Sequence, residues 1–278
     1  MPFQSNQINQ VNQLDQRRHN RTRTSLRDNQ RAPSSRWRIY LMLMLVALLP
    51  LVVACAPEQQ TRAPVNALPK TSSQPAFTYV AIGASDSFGV GTDDPARDSW
   101  PRVLAGLMGP DTHLINLGIP GETAAQARAT ELPIALDAKP NVVTIWLGVN
   151  DIIQSVPVET YTANVEAILR TLDTYTNAHV FVANIPDLTA LPYFAGYDQH
   201  ALQATIAQWN AALEQAVADT DAMLVDLNAS WAEITQHPEY IASDGLHPST
   251  EGARQLAAAF LSWIIIVMPD IHTEAGAT

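Results

Sequence analysis

The feature that most constrains the fold of this chain is the alternation, after residue 76, of apolar runs of strand length with segments of helical periodicity. Helical spacing runs from Tyr161 to Leu172 and from Leu202 to Val217. Five runs have strand length and no polar alternation: Phe77 to Gly83, His113 to Leu117, Val142 to Leu147, His179 to Ile185 and Met223 to Leu227. Because strands without a polar face are covered on both sides, the pattern predicts an α/β domain. We expect a three-layer α/β/α sandwich with a mostly parallel five-stranded sheet.

Charge is distributed unevenly along the chain. The 278 residues carry a formal net charge of −11, yet residues 1–55 hold eight arginines and only two acids. The remainder is strongly acidic, with 25 acidic residues against 8 basic ones. An acidic surface repels phosphate backbones, so we expect no nucleic-acid partner and a neutral or apolar substrate rather than a polyanion.

The N-terminal part has the pattern of an export signal. Arg36 and Arg38 precede an apolar stretch from Ile39 to Val53, which is short for a bilayer-spanning helix. Val52-Val53-Ala54-Cys55 resembles the bacterial lipobox, which implies cleavage before the cysteine and a lipid on its thiol. Ala54-Cys55-Ala56 also fits a cleavage site that releases a soluble secreted protein, and an uncleaved apolar anchor is a third alternative. We expect an exported protein of the bacterial cell envelope, lipid-anchored at a membrane through Cys55.

These patterns divide the chain into five parts. Residues 1–38 are a polar, basic extension whose composition predicts disorder, and residues 39–55 are the apolar signal segment. Residues 56–75 are polar and contain prolines, as expected of a tether. The globular domain is expected at residues 76–268, followed by a tail at 269–278. The chain has a single cysteine, which excludes an internal disulfide.

Small and polar residues stand where the predicted strands end. Ser85 follows the first strand, Gly121 the second and Asn150 the third. Asp244 and His247 lie between the fifth strand and the last predicted helix. Ligands of an open parallel sheet bind beyond the carboxyl ends of its strands, so we expect these residues to meet at one edge.

The residue types suit acyl transfer. A serine hydroxyl becomes a good nucleophile when a histidine takes its proton and a carboxylate fixes the tautomer of that histidine. Asp244 and His247 are three residues apart, so the carboxylate can reach one ring nitrogen while the other faces Ser85. Gly121 lets a backbone N–H approach a substrate, and Asn150 offers an amide donor to developing negative charge. Alone, each motif is ordinary loop chemistry, and only the combination favours a functional site.

Four sequence blocks resemble those of the SGNH, or GDSL-like, hydrolase family. The blocks are Ile82 to Gly89, Asn116 to Thr123, Gly148 to Asp151 and Asp244 to Pro248. The resemblance covers residues 77 to about 266. It implies the flavodoxin-like SGNH hydrolase fold and a serine esterase, lipase or acylhydrolase that needs no cofactor and no metal.

The resemblance also implies residue roles. Ser85 would be the nucleophile, His247 the general base and Asp244 the acid that orients it. The oxyanion hole would consist of the Ser85 amide, Gly121 and Asn150.

The first block leaves the identity of the nucleophile open to one alternative. It departs from the usual Gly-Asp-Ser of the family, because Ala84 stands at the acidic position. Ser87 could be the nucleophile in a shifted register. We prefer Ser85, which has Gly83 two residues before it and Gly89 four residues after it.

The sequence therefore predicts a carboxylic ester hydrolase that works through an acyl-enzyme intermediate. The expected substrate is a small-molecule, lipid or acylated-sugar ester, and the expected membrane contact is a lipid anchor or the N-terminal apolar segment. Two alternatives stay open: a non-catalytic carbohydrate- or lipid-binding module on the same fold, and an acyltransferase. The substrate itself is not specified, because one fold and one triad serve many such reactions.

Overall fold

The computed structural model of the 278-residue chain describes residues 77–234 and 236–271. The predicted extension, apolar segment and tether, with Cys55 and its expected lipidation, lie outside the described residues, as does most of the predicted tail. Within the described part, no helix combines the length and the apolar character that crossing a bilayer requires.

The five predicted strands form one parallel sheet. Their bounds are β1 Phe77–Gly83, β2 Thr112–Asn116, β3 Val142–Trp146, β4 His179–Ala183 and β5 Met223–Val225. The spatial order is β2-β1-β3-β4-β5, and all neighbours pair in parallel. β3 is buried along its whole length, including Thr144, as the absence of polar alternation in its run predicts. The predicted α/β fold with a five-stranded parallel sheet is confirmed.

Helices occupy the connections between these strands. In the described residues their bounds are α1 Ser85–Phe88, α2 Pro95–Asp98, α3 Trp100–Leu107, α4 Ala124–Asp137, α5 Val149–Ile153, α6 Val158–Tyr175, α7 Gln199–Ala218, α8 Leu227–Ile234 and α9 Thr250–Val267. Short 3-10 turns lie at Leu188–Ala190, Pro192–Phe194 and Pro238–Tyr240. The helical periodicity of the sequence corresponds to α6 and α7. Side-chain caps fix helix starts, as where Ser249 Oγ accepts the Gly252 N–H at 3.1 Å.

The helices cover both faces of the sheet. α3 packs against α9, and Trp100 stacks on Phe260 with ring centroids 4.4 Å apart. α6 packs against both α4 and α7, and Tyr161 stacks on Trp209 at 4.7 Å. The connections from β1 to β2 and from β2 to β3 run in opposite directions across the sheet, so right-handed crossovers place their helices on opposite faces. The result is the predicted three-layer α/β/α sandwich, with two buried aromatic stacks in its helical layers.

The strand order also creates a crevice at the carboxyl edge of the sheet. The chain leaves β1 towards β2 on one side and returns to β3 on the other side. The loops after β1 and β3 therefore diverge, and an open α/β sheet binds ligands at such a point. Ser85 follows β1 and Asn150 follows β3, so the topology itself brings these two residues to the crevice.

Candidate active site

Ser85 stands in a tight turn between β1 and α1. β1 ends at Gly83, where a Cβ atom would overlap the side chain of Ser87, so a glycine lets the chain fold back on itself. α1 is a single turn that ends at Gly89, whose φ of 101° is left-handed. Ser85 is 9% exposed and lines a cleft at the carboxyl edge of the sheet. The turn thus presents a largely shielded hydroxyl group to that cleft.

Ser87, the alternative nucleophile, lies in a different environment. Its side chain is 0% exposed, and its hydroxyl has no hydrogen-bond partner among the described residues. Its main-chain carbonyl accepts a hydrogen bond from Asn116 Nδ2 at 2.6 Å, which ties the turn to the end of β2. Because a nucleophile must reach its substrate, this geometry favours Ser85 over Ser87.

Asp244 and His247 form a hydrogen-bonded pair. His247 Nδ1 lies 2.6 Å from Asp244 Oδ2. The other carboxylate oxygen, Oδ1, accepts the backbone N–H groups of Leu246 and His247 at 2.9 and 3.0 Å. Gly245 has a φ of 73°, which allows the chain to turn tightly between the acid and the ring. The three-residue spacing seen in the sequence closes into a compact carboxylate–imidazole contact.

The surroundings of Asp244 keep it ionised. Partial desolvation disfavours the charge, but the hydrogen bonds from the His247 ring and from the amides of Leu246 and His247 outweigh this and lower the pKa of Asp244. An ionised acid holds the ring proton on Nδ1. His247 Nε2 is then the nitrogen that can accept a proton.

Two contacts hold the His247 loop beside the Ser85 turn. Gly91 has a φ of 93° and lies so close to His247 that a Cβ atom on it would come within 2.9 Å of the His247 Cβ. Further along, the Asp93 N–H donates to Thr250 Oγ1 at 2.8 Å, and Thr250 Oγ1 donates to Asp93 Oδ2 at 3.0 Å. The segment that follows Ser85 is therefore anchored to the segment that follows His247.

Ser85, His247 and Asn150 line one cleft, which contains about 340 Å³ of empty space counted to its open mouth. In the described residues the hydrogen bond of the His247 ring goes to Asp244, and none joins the ring to Ser85. Catalytic hydrogen bonds are often long without substrate and shorten in the complex. The arrangement brings a hydroxyl, an oriented imidazole and an amide donor to one space.

Gly121 and Asn150 are connected through the segment between β2 and α4. Asn150 Nδ2 donates to the Glu122 carbonyl at 3.0 Å, and Gln154 Nε2 donates to the Gly121 carbonyl at 3.0 Å. Gly121 has a φ of 87°, and the space where its Cβ would stand is empty, so nothing obstructs approach from that side. Asn150 is part of the cleft wall and Gly121 is not. Since an amide NH2 has two donors, Asn150 keeps one for a ligand in the cleft.

Asp151, the acid next to Asn150, has a structural environment. It is buried, and its two carboxylate oxygens accept the Ala124 N–H at 3.2 and 3.1 Å, at the start of α4. Burial raises the pKa of Asp151 to about 6, against the opposing effect of the Ala124 amide. Its contact joins α5 to α4 and does not face the cleft.

Glu131, which no sequence motif marks as functional, lies behind the Ser85 turn in the fold. Glu131 is 1% exposed, and its Oε2 accepts the Gly83 N–H at 2.9 Å. Burial raises the pKa of Glu131 to about 9, so the group is neutral in the folded protein near pH 7. A signal was present in the sequence, because Glu131 lies at helical spacing from Ala127 and Ala135 on the buried face of α4.

Asp86, which follows Ser85 directly, is the acid of the motif in the shifted register, but its place in the cleft was not predicted from the sequence. It lines the cleft and a second recess that adjoins it. Desolvation raises the pKa of Asp86 to about 6; the nearby His247 opposes this rise and Asp244 adds to it. An acid therefore stands beside the candidate nucleophile, with a pKa inside the pH range of ordinary enzyme assays.

Known proteins with a similar sequence are esterases. The family model described as GDSL-like Lipase/Acylhydrolase matches residues 81–255. An acetylxylan esterase of Geobacillus stearothermophilus is 30% identical over 156 residues, which cover 53% of this chain and 70% of that protein. An arylesterase of Vibrio mimicus is 28% identical over 193 residues, which cover 67% of this chain and 87% of that protein.

Two solved structures of similar fold are those of enzymes named as esterases. The crystal structure of the G. stearothermophilus acetylxylan esterase matches with a TM-score of 0.54 at 22% identity and covers 67% of this chain and 93% of that one. The psychrotrophic esterase EstA of Pseudoalteromonas sp. matches with a TM-score of 0.55 at 22% identity and covers 69% and 98%. These likenesses support the fold, and the match of the family model over most of the globular region establishes the family. The chain belongs to the GDSL-like lipase/acylhydrolase family and is a carboxylic ester hydrolase.

Proposed function

We propose that this hydrolase cleaves its ester with Ser85 as nucleophile, His247 as general base and Asp244 as the acid that orients the base. The observation that carries the proposal is the 2.6 Å contact between His247 Nδ1 and Asp244 Oδ2, in a loop whose histidine shares a cleft with Ser85. Because this contact occupies Nδ1, His247 Nε2 is left to accept the proton of the Ser85 hydroxyl.

The acylation step follows from these positions. Ser85 Oγ adds to the ester carbonyl carbon while its proton passes to His247 Nε2. The carbonyl oxygen becomes an oxyanion, which the Ser85 N–H, the Gly121 N–H and the free amide hydrogen of Asn150 would stabilise. Collapse of this intermediate breaks the bond to the alcohol oxygen, and His247 returns the proton to the departing alcohol. The acyl group then remains on Ser85.

Deacylation repeats the same proton transfers with water. His247 takes a proton from the water as the water oxygen attacks the acyl carbon, and it returns that proton to Ser85 Oγ when the carboxylic acid leaves. If an alcohol replaced the water, the same steps would make the chain an acyltransferase. A shift from acid product to new ester on addition of a competing alcohol would identify that activity.

Substitution of the two serines tests the proposal. Full-length protein should hydrolyse short aryl esters, and Ser85→Ala should lower kcat/KM by about a thousandfold or more. Ser87→Ala is the matched control, since it removes a buried hydroxyl that has no partner among the described residues, and it should retain most activity. Retained activity in Ser85→Ala together with loss in Ser87→Ala would reverse the assignment.

Measurement of ester turnover distinguishes the proposed enzyme from a non-catalytic binding module. A binder releases no alcohol from any ester, whereas the proposed enzyme releases alcohol and acid in equal amounts. The names of the relatives suggest the first substrates for such assays, because one is called an acetylxylan esterase and the other an arylesterase. Acetylated carbohydrates and aryl acetates should therefore be tried before long-chain lipids.

We further propose that the enzyme is exported and held at a membrane by a lipid on Cys55. Support comes from Arg36 and Arg38 before the apolar stretch, and from the Val52-Val53-Ala54-Cys55 pattern at its end. Expression in a bacterium with labelled fatty acid should label the wild-type protein, and Cys55→Ala should abolish the label and release the enzyme from the membrane fraction. Membrane retention of the unlabelled variant would instead support an uncleaved apolar anchor.

A further inference from the structure

A second recess, which we call the side pocket, opens beside the catalytic cleft. Most of its wall is apolar, with Leu188, Leu191 and two prolines among its residues. Asp86, Trp146, Val149 and Leu246 belong to the walls of both spaces. The side pocket is small, and its roughly 270 Å³ of empty space includes the open solvent at its mouth. It therefore adjoins the place where an ester carbonyl would stand next to Ser85.

Asp86 is the acid in this otherwise apolar wall. In the described residues its carboxylate forms no ion pair or hydrogen bond with another side chain, and the polar group that helps to keep it ionised is its own backbone N–H. The charged or titratable groups that act on it are His247 and Asp244, which already bind each other, and the other residues that line the side pocket carry no titratable group. A carboxylate in this position is solvated mainly through the open cleft.

We propose, on the basis of the esterase function proposed above, that Asp86 is a specificity-determining residue that restricts the acyl group of the substrate to short, uncharged chains. A short acyl group such as acetyl can occupy the start of the side pocket and leave the carboxylate in contact with water. A longer aliphatic chain would cover Asp86 and remove that water, which is costly for an unpaired charge. An acyl group that itself carries a carboxylate would meet like-charge repulsion.

Without the carboxylate, the apolar wall should prefer longer chains. A fully buried methylene improves binding by about fourfold. Trp146, Leu188 and Leu191 are already buried against the protein, so a longer chain would gain less than this per methylene at the mouth of the side pocket. Asp86 would cancel this gain at the point where the side pocket begins. The proposal concerns selectivity, because Asp86 takes no part in the proton transfers assigned to His247.

The test compares acyl chains of different length on the same enzyme. The full-length wild type, Asp86→Asn and Asp86→Leu are assayed with the p-nitrophenyl esters of acetate, butyrate and hexanoate at about pH 8. The measured quantity is the ratio of kcat/KM for hexanoate to kcat/KM for acetate, in which effects common to both substrates cancel. We expect this ratio to rise by about threefold or more in Asp86→Asn and by about tenfold or more in Asp86→Leu. The kcat/KM for an aryl monosuccinate, relative to that for the acetate ester, should increase in both variants.

A matched control and a pH series separate charge from other effects. Asp111→Asn removes the same charge from an exposed position just before β2, at the opposite edge of the sheet, and should leave the ratio unchanged. In the wild type the hexanoate-to-acetate ratio should increase as the pH is lowered from 8 to 5, because protonation neutralises Asp86, whose pKa is about 6. In Asp86→Asn the ratio should be flat over this range.

Three results would overturn the inference. Ratios that stay within twofold of wild type in both variants, with acetate hydrolysis intact, would show that Asp86 does not select the acyl group. An equal loss of activity on all chain lengths would instead make Asp86 a residue that positions the catalytic groups. If Asp86→Leu does not fold, Asp86→Asn and the pH series still decide. Absence of ester hydrolysis in the wild type would reject the proposed function and this inference with it, an outcome distinct from unchanged selectivity.

Discussion

Asp244 binds both the ring and the backbone of His247. Its Oδ2 contacts Nδ1 of the ring at 2.6 Å, while its Oδ1 accepts the His247 N–H at 3.0 Å. One carboxylate therefore fixes the tautomer of the imidazole and the position of the chain that carries it. The two tasks fall on different oxygen atoms, so they can be separated by substitution.

Asp244→Asn should separate them. The amide oxygen can still accept the N–H groups that Oδ1 accepts now, so the loop should keep its shape. The amide NH2 would then face Nδ1, which must become an acceptor, and the ring proton would move to Nε2, the nitrogen that has to receive the Ser85 proton. We expect kcat to fall by about a thousandfold to ten-thousandfold, with a thermal midpoint close to that of the wild type. A loss of less than tenfold would show that Asp244 does not set the tautomer.

Asn150→Ala tests the oxyanion hole. Removal of one such donor lowers kcat by about a hundredfold to a thousandfold, and KM should change little because the donor acts mainly on the developing charge. Gln154→Ala is the matched control, since Gln154 also donates from the α5 region to the neighbouring segment, to the carbonyl of Gly121. That variant should lose far less activity. Equal losses in the two variants would indicate that Asn150 only shapes the segment.

Glu131 should make stability depend on pH. In the folded protein its pKa is raised to about 9, and in the unfolded chain it returns to about 4.5. Its contribution is therefore complete below pH 4.5 and is lost as the pH rises towards 9, with a slope of up to about 1.4 kcal/mol per pH unit. Glu131→Gln keeps an acceptor for the Gly83 N–H and cannot ionise. The free energy of unfolding of Glu131→Gln minus that of the wild type should increase with rising pH. This difference should become constant above pH 9.

Urea unfolding at several pH values measures this difference. Glu159→Gln, at an exposed position of α6, serves as the control and should show a constant difference from wild type. Parallel pH profiles for wild type and Glu131→Gln would mean that Glu131 is ionised in the folded protein, contrary to the effect of its burial.

Periodicity made the sheet predictable, because β1 and β3 are buried runs that only a covered parallel sheet accommodates. The predicted boundaries of the strands were less accurate. The run from His179 to Ile185 suggested a longer strand, but strand pairing ends at Ala183, opposite Val225 of β5. The Asn184 N–H still donates to the Val225 carbonyl, while its side chain bonds Asp226 and the Asn228 N–H beyond β5. The backbone of Ile185 bonds the Asn210 side chain of α7.

The candidate site was predictable where its residues follow strands in recognisable blocks, and less so elsewhere. Ser85 and Asn150 stand directly after β1 and β3, so topology alone places them together. Glu131 and Asp86 owe their importance to what surrounds them in space. The Gly83 amide that Glu131 binds is 48 residues away in sequence, and the apolar wall around Asp86 comes from several separate loops. Local patterns can indicate that Glu131 is buried, but they do not show which groups surround either acid.

Covalent labelling measures whether His247 activates the Ser85 hydroxyl. A fluorophosphonate probe reacts with an activated serine hydroxyl and leaves a stable adduct that peptide mass spectrometry can locate. We predict one adduct on the peptide that contains Ser85, its absence in Ser85→Ala, and a labelling rate reduced by orders of magnitude in His247→Ala. An adduct on Ser87, or undiminished labelling of Ser85 in His247→Ala, would contradict the account.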